Sequence, residues 1–454
     1  MKARLMAGIM MGVLAMGAQL AHGDSTGWNV ISEQDPSAAL THIRFIIRSG
    51  SLSDPAGKAG LAYFTARAML RGTQTRPYQD LNNAIESLGG SVSVSVDGTQ
   101  TVFDATVLTS NLVDFLGIMS DVFTHPAFAV SDMNLLQKIL YGELRTSLQD
   151  GQTLASRAVM KVAYAGTALA HPPEGTIASV SAVTPGDAQA FFGAHYTREN
   201  MVIGITSSDP SAVIELEQQL DPIPHGALDG QQLPPPSGIQ GQGVQAIVVD
   251  REGLDTVPVF VATPGIGDPD PAMLGLEAGN FVFGGDTTSR LFQVLRVQNG
   301  WTYGVYSSYQ QILAPKTQPG LFSIYLYPSA KFFSPCISET LTLLQSYAAQ
   351  GITASELSLA QSSLSNSYPF QLDSAINRLG WDLRSALTGR PFLTAAQYSA
   401  AVSQLNLSSV NTQIAAKTNT KDLLVVAVGD PPTLQPILAA LPGVKSVKVV
   451  NVNP

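Results

Sequence analysis

The stretch LNNAIESLGGSVSVSVDGTQTVFDATVL, residues 81–108, changes its periodicity halfway along. Up to Leu88 its apolar residues recur at helical spacing, as the end of a helix over 77–88. Gly89-Gly90 stops that pattern. From Ser91 onward serine alternates with valine, Asp97-Gly98 makes a turn, and a second alternating run follows to Leu108. A helix feeding two alternating strands joined by a short turn marks an α+β fold, its sheet carrying one apolar and one wet face.

Working outward, the same order of elements occurs twice. In the first half, a strand over 41–50 and a helix over 59–71 precede the quoted stretch. Helices near 110–124, 131–148, 152–165 and 184–196 follow it, then a strand over 200–206. In the second half, a strand over 256–265 is followed by helices over 271–283 and 288–297. Next come strands over 301–310 and 320–328, a long helical stretch from 330 to about 417, and a strand over 422–430. Between the halves, DPIPHGALDGQQLPPPSGIQGQG, residues 221–243, is rich in Pro, Gly and Gln and reads as a linker. The expectation is two homologous α/β sandwich domains, 24–220 and 244–454, each an antiparallel sheet with helices on one face. Their wet sheet faces would border a chamber between the halves.

Residues 1–23 have the form of a signal peptide: Lys2 and Arg4, an apolar run, and small residues at Ala21 and Gly23. This predicts export, most simply to a periplasm, and no transmembrane segment in the mature chain. The 454 residues are 45% hydrophobic and carry a formal charge of −9, which excludes a disordered chain and disfavours nucleic acid as a partner. One cysteine, Cys336 in an apolar run, can form no internal disulfide and reads as a buried hydrophobe. Gly284-Gly285 is followed by no P-loop lysine and reads as a turn, and no serine sits in a nucleophile-elbow pattern.

Five segments taken together are more specific than any one. They are GLAYFTARAMLRGT (60–73), residues 81–108, ILYGELRTSLQ (139–149), VTPGDAQAFFGAHYTRENMVIGI (183–205) and GNFVFGGDTTSRLFQVLRVQNGWTYGVYSSY (279–309). In order and spacing the chain resembles the pitrilysin/insulinase family of zinc peptidases. The resemblance is to its short-subunit branch, which includes mitochondrial processing peptidase and the core proteins of the respiratory cytochrome complex. It implies a chain shaped as half of a clamshell.

Active members carry His-x-x-Glu-His on one helical face, two metal ligands and a general base. At those positions this chain has Tyr63, Ala66 and Arg67. A neutral phenol is a poor ligand, alanine has no carboxylate, and a guanidinium has no lone pair to offer. Nor do the six histidines, His22, His42, His125, His171, His195 and His225, contain an i, i+4 pair. Glu143 matches the third zinc ligand of active relatives. Glu143 reads either as a leftover surface carboxylate or, since an unpaired carboxylate in a vacated, partly buried site would be costly, as the partner of Arg67 in an ion pair; the pair is the one predicted.

The resemblance also implies a role for Arg296 and Tyr303, seven positions apart in LRVQNGWTY (295–303). In active relatives such a pair reaches across the chamber, binds the substrate backbone and stabilises the oxyanion. By itself Arg296 is equally a cation at a helix C-terminus and Tyr303 a strand aromatic. The implied function is the non-zinc subunit of a heterodimeric metallopeptidase. Zinc would sit in the partner, no cofactor in this chain, and extended peptides would be the substrates. The alternative is a catalytically inert structural or peptide-binding homologue of the cytochrome core proteins.

Overall fold

The computed structural model describes residues 27–230, 233–267, 269–310 and 320–451, so the expected signal peptide lies outside the described residues. The first half contains strands β1 (Val30–Gln34), β2 (Leu40–Ile47), β3 (Ser91–Val96), β4 (Thr101–Leu108) and β5 (Met201–Ser207). Its helices are α1 (Leu61–Met69), α2 (Tyr78–Ser87), α3 (Leu112–Thr124), α4 (Val130–Ser147), α5 (Gly151–Ala163), α6 (Ile177–Ser181), α7 (Pro185–His195) and α8 (Ala212–Leu220). The second half contains β6 (Val244–Asp250), β7 (Val259–Pro264), β8 (Thr302–Gln310), β9 (Leu321–Pro328), β10 (Leu423–Gly429) and β11 (Val444–Asn451). Its helices are α9 (Met273–Asn280), α10 (Arg290–Phe292), α11 (Phe333–Gln350), α12 (Ala354–Ser367), α13 (Ala375–Thr388), α14 (Ala395–Ser403), α15 (Leu407–Lys417) and α16 (Pro431–Ala439).

The α+β expectation holds, but the sheets are mixed rather than antiparallel. The first has the order β1-β5-β2-β4-β3 and the second β11-β6-β10-β7-β9-β8. Strand β1 runs parallel to β5, and β6 runs parallel to both β10 and β11. Sequence reading missed β1, β6 and β11, which extend the sheets beyond the antiparallel ladders. The expected helical stretch 330–417 is made up of five α-helices, α11 to α15. Thr353 and Thr394 start two of them as N-caps of capping boxes with Glu356 and Gln397, and Gly389 in the left-handed region ends a third. The segment 221–243 is not free either: Leu233 and Ile239 pack beside α5, and the Gly238 amide donates to the Ala163 carbonyl.

Helices do not lie on one face only. In the first half the outer core joins Phe45, Phe103 and Ile203 of the sheet to Phe64, Phe115 and Phe123 of α1 and α3. The opposite face of the same sheet, at Ile31, Ile46 and Val202, is covered by Leu379, Leu383 and Leu387 of α13 from the second half. The second sheet receives the reciprocal cover. Its Ile247, Phe260, Leu424 and Val426 pack under Leu154, Ala155 and Val159 of α5 from the first half. Strands β5 and β10 are thereby buried at every position, which accounts for the unbroken apolar run of β10. Gly204 of β5 lies directly under α13: a Cβ there would lie 2.6 Å from a Leu383 methyl.

A charge cluster sits at the α13 contact. Arg378 donates to Glu33 of β1 at 3.1 Å, while one oxygen of buried Asp382 has no hydrogen-bond partner. Burial, then the Glu33 carboxylate, pushes the Asp382 carboxyl up to about 6, against the pull of Arg378. A carboxyl raised in the folded state binds protons there more readily than in the unfolded chain. It therefore adds stability at low pH that is lost as pH rises to about 6. Asp382→Asn removes this loss: at pH 7.5 the variant gains about 2 kcal/mol in urea titrations, and near pH 4 the gain vanishes.

Candidate functional site

Helix α1 begins where Asp54, fully buried, accepts the amides of Gly60 and Ala62 at 2.7 and 2.8 Å. Burial raises the Asp54 carboxyl to about 7, the amides opposing it. The apolar residues Leu61, Phe64, Ala68 and Met69 seat the helix in the core. This leaves Tyr63 and Arg67, one turn apart, half-buried on the side facing α4, while Ala66 is fully buried.

Arg67 meets Glu143 of α4 as a two-pronged pair, its two terminal nitrogens 3.2 and 3.1 Å from the carboxylate oxygens. The same guanidinium donates to the Tyr63 hydroxyl at 2.8 Å. The expected ion pair is therefore present, with one correction. The Glu143 side chain is 47% exposed, so the site is more open than the sequence reading assumed. Burial works against the Arg67 charge, but the bonds to Glu143 and Tyr63 prevail and hold it above its ordinary value. Burial also pushes the Tyr63 hydroxyl up, against Arg67.

Zinc does not fit this donor set. Tyr63 stays a neutral phenol, Ala66 offers nothing, and a cation without a lone pair occupies both oxygens of Glu143. Among the described residues no group of three or more His, Cys, Asp or Glu is placed to hold a metal. Because the pair is solvent-facing, Glu143→Gln costs less than about 1 kcal/mol in urea unfolding.

Arg296 and Tyr303 are brought together, each by an irregularity. After α10 the helix continues as π-helical turns over Gln293–Gln298, which hold Arg296, and Gly300 with φ of 64° closes it. Strand β8 then carries a bulge between Thr302 and Val305, so Tyr303 and Tyr306 both project outward from it. The Arg296 guanidinium donates to the Tyr303 carbonyl and lies 5.7 Å from the centre of its ring. Tyr303 is 72% exposed. A cation and a phenol thus stand side by side at the edge strand of the second sheet, open to solvent. Upstream, Arg290 is tied to Glu356 through two bonds of 2.7 and 2.6 Å, which pull the Glu356 carboxyl down to about 2. That pair fixes the segment leading to Arg296.

Strand β3, with serines outward and valines half-buried, is the outer edge of the first sheet. A cleft of about 940 Å³ lies between α5 and the inner face of the second sheet. No described helix is long and apolar enough to cross a membrane.

Comparison with known proteins agrees with this geometry. Residues 29–177 match the insulinase (peptidase family M16) profile and residues 182–364 that of the peptidase M16 inactive domain. An uncharacterized zinc protease of Mycobacterium leprae is 26% identical over 341 residues, 74% of this chain and 75% of the relative. The uncharacterized zinc protease YmxG of Bacillus subtilis is 21% identical, over 85% and 92%. Among solved structures, a peptidase M16 inactive domain from Pseudomonas fluorescens superposes with a TM-score of 0.80 at 21% identity, covering 89% of this chain and 96% of that one. A chain of complex III from Candida albicans superposes with a TM-score of 0.72 at 14% identity, covering 89% and 94%. With both halves matched in order and the two-sheet fold shared, this chain belongs to the peptidase M16, or insulinase/pitrilysin, family.

Proposed function

We propose that this chain is the non-zinc subunit of an exported, heterodimeric M16 metallopeptidase, acting on extended peptides in trans with a zinc-bearing partner. The observation that carries the reading is the contrast between two sites. The Tyr63–Arg67–Glu143 position is closed by its own hydrogen bonds, while Arg296 and Tyr303 stand paired and exposed, and no group placed to hold a metal lies among the described residues. The leader-like residues 1–23 support export, and the partner would face this chain as the other half of a clamshell.

In that assembly the partner would hold the zinc and the general base that supply the hydrolytic water. This chain's residues do the rest of the electrostatic work. Arg296 donates to the substrate backbone, and the Tyr303 hydroxyl donates to the carbonyl oxygen as negative charge develops on it. The unpaired outer edge of β3 gives an extended peptide a row of main-chain donors and acceptors to pair with.

The test is reconstitution. The purified chain, mixed with a zinc-bearing M16 subunit from the same cell, accelerates cleavage of an unstructured peptide well beyond the zinc subunit alone, and metal analysis of the isolated chain finds no stoichiometric zinc. A mixture no faster than the zinc subunit alone returns the chain to the alternative, an inert scaffold or peptide binder. The fold shared with a complex III chain is compatible with that outcome.

A further inference from the structure

A pocket of about 230 Å³ lies within the second half, lined by none of Tyr63, Arg67, Glu143, Arg296 and Tyr303. Four rings line it. Tyr368, just past α12, stacks on Tyr398 of α14, the ring centres 3.9 Å apart and the planes 7° from parallel. Trp381 of α13 stands 5.8 Å from Tyr368 at 52°, and Phe392 comes from the loop joining α13 to α14. The Tyr368 hydroxyl donates to the Leu393 carbonyl at 2.9 Å, which fixes the stack in place. Pockets for drug-sized ligands run to about 300–1,000 Å³, so this one takes a single ring with a short polar arm. Flat walls set at such angles suit a further flat ring, which stacks on one and meets the edge of the next.

Charge selects the polar arm. Arg384 and Arg390 line the pocket, and Glu277 of α9 is the one carboxylate that does, so two positive charges meet one negative. Both terminal nitrogens of Arg390 reach the same Glu277 oxygen, each at 3.5 Å, where a charge-assisted bond measures about 2.8 Å. Arg290 and Glu356, by contrast, form two short bonds, one to each carboxylate oxygen. Glu277 therefore does not fill the fork of Arg390 as Glu356 fills that of Arg290. Burial raises the hydroxyls of Tyr368 and Tyr398 above their ordinary value, so both stay neutral and add no negative charge.

From this we infer that the pocket binds an aromatic carboxylate, its ring held among Trp381, Phe392 and Tyr398 and its carboxylate forked onto Arg390. A free aromatic acid and the C-terminal Phe or Tyr of a chain share that chemistry. The inference stands apart from the peptidase reading, since it needs neither a partner subunit nor Arg296 and Tyr303. Helix α13 extends the consequence beyond the second half. Its Leu379, Leu383 and Leu387 cover the first sheet while its Trp381 and Arg384 line the pocket, so an occupant braces the helix that joins the two halves.

The test is isothermal titration calorimetry on the isolated chain with 3-phenylpropanoate, its neutral amide, 3-cyclohexylpropanoate and phenethylammonium. The aromatic acid binds at one site per chain, about tenfold more tightly than the amide and severalfold more tightly than the cyclohexyl acid, and the ammonium ion gives no binding heat. Arg390→Gln removes the advantage of acid over amide, and Trp381→Leu that of phenyl over cyclohexyl. Circular dichroism verifies both folds, and the ligand series on the native chain decides even where a variant is lost. A second arm titrates a Gly/Ser peptide ending in Phe, with its terminus free or amidated. Binding by the free-ended peptide alone opens the site to chain ends, and no binding by either form restricts it to free acids. Equal affinity for acid and amide, a cyclohexyl acid as tight as the phenyl, tighter binding of the ammonium ion, an amidated peptide as tight as the free one, or no binding of 3-phenylpropanoate overturns the assignment.

Discussion

In the reconstituted two-chain enzyme, Tyr303→Phe lowers kcat about 10²-fold and changes KM little. The substitution keeps the ring that Arg296 lies against and deletes one oxygen, so the lost interaction is one made mainly in the transition state. A single donor aimed at a developing oxyanion contributes about 3 kcal/mol in a water-excluded site, and much less in the open, where Tyr303 stands in the isolated chain. The effect therefore depends on closure by the partner. Arg296→Ala raises KM as well, since the guanidinium holds Tyr303 through its carbonyl and, in the proposed assembly, would also meet the substrate backbone. Because the two side chains touch, the double variant loses less than the two single losses combined. Steady-state kinetics on the mixture decides this: a Tyr303→Phe mixture as fast as native removes the phenol from the chemistry.

The second large effect is on stability. Leu383→Ala costs about 3 kcal/mol, since Leu383 is 2% exposed and packs against Gly204 in the first sheet. Its helix belongs to the second half, yet the surface it covers belongs to the first. Urea unfolding followed separately by proteolysis in the first half and by proteolysis in the second half shows both midpoints falling together. A shift confined to the second half would mean that the exchanged helices do not couple the two units.

Much of this protein was legible in its residues. The alternation at 91–108 and the apolar run LLVVAVG identified strands, because a period of two or an unbroken apolar run follows from which faces a strand buries. That Tyr63 and Arg67 share one helical face was readable, since helical spacing fixes which side chains lie together; that they stand where relatives hold a metal came only from the family resemblance. The pairing of Arg67 with Glu143 followed from the cost of leaving a charge unpartnered. The strands β1, β6 and β11 were not legible. Each is short or lies against the linker or the chain end, and the parallel partner that completes it is distant in sequence. The exchange of α5 and α13 was equally hidden, since an amphipathic helix specifies that it needs an apolar surface without specifying whose.

The sequence by itself determined the fold class and the repeated plan, both of which rest on local periodicity and on the chemistry of single side chains. Only the tertiary structure decided which sheet each helix covers and how β8 bulges to turn Tyr303 outward. Those are contacts between residues far apart in the chain, and they are set by how two cores close over each other.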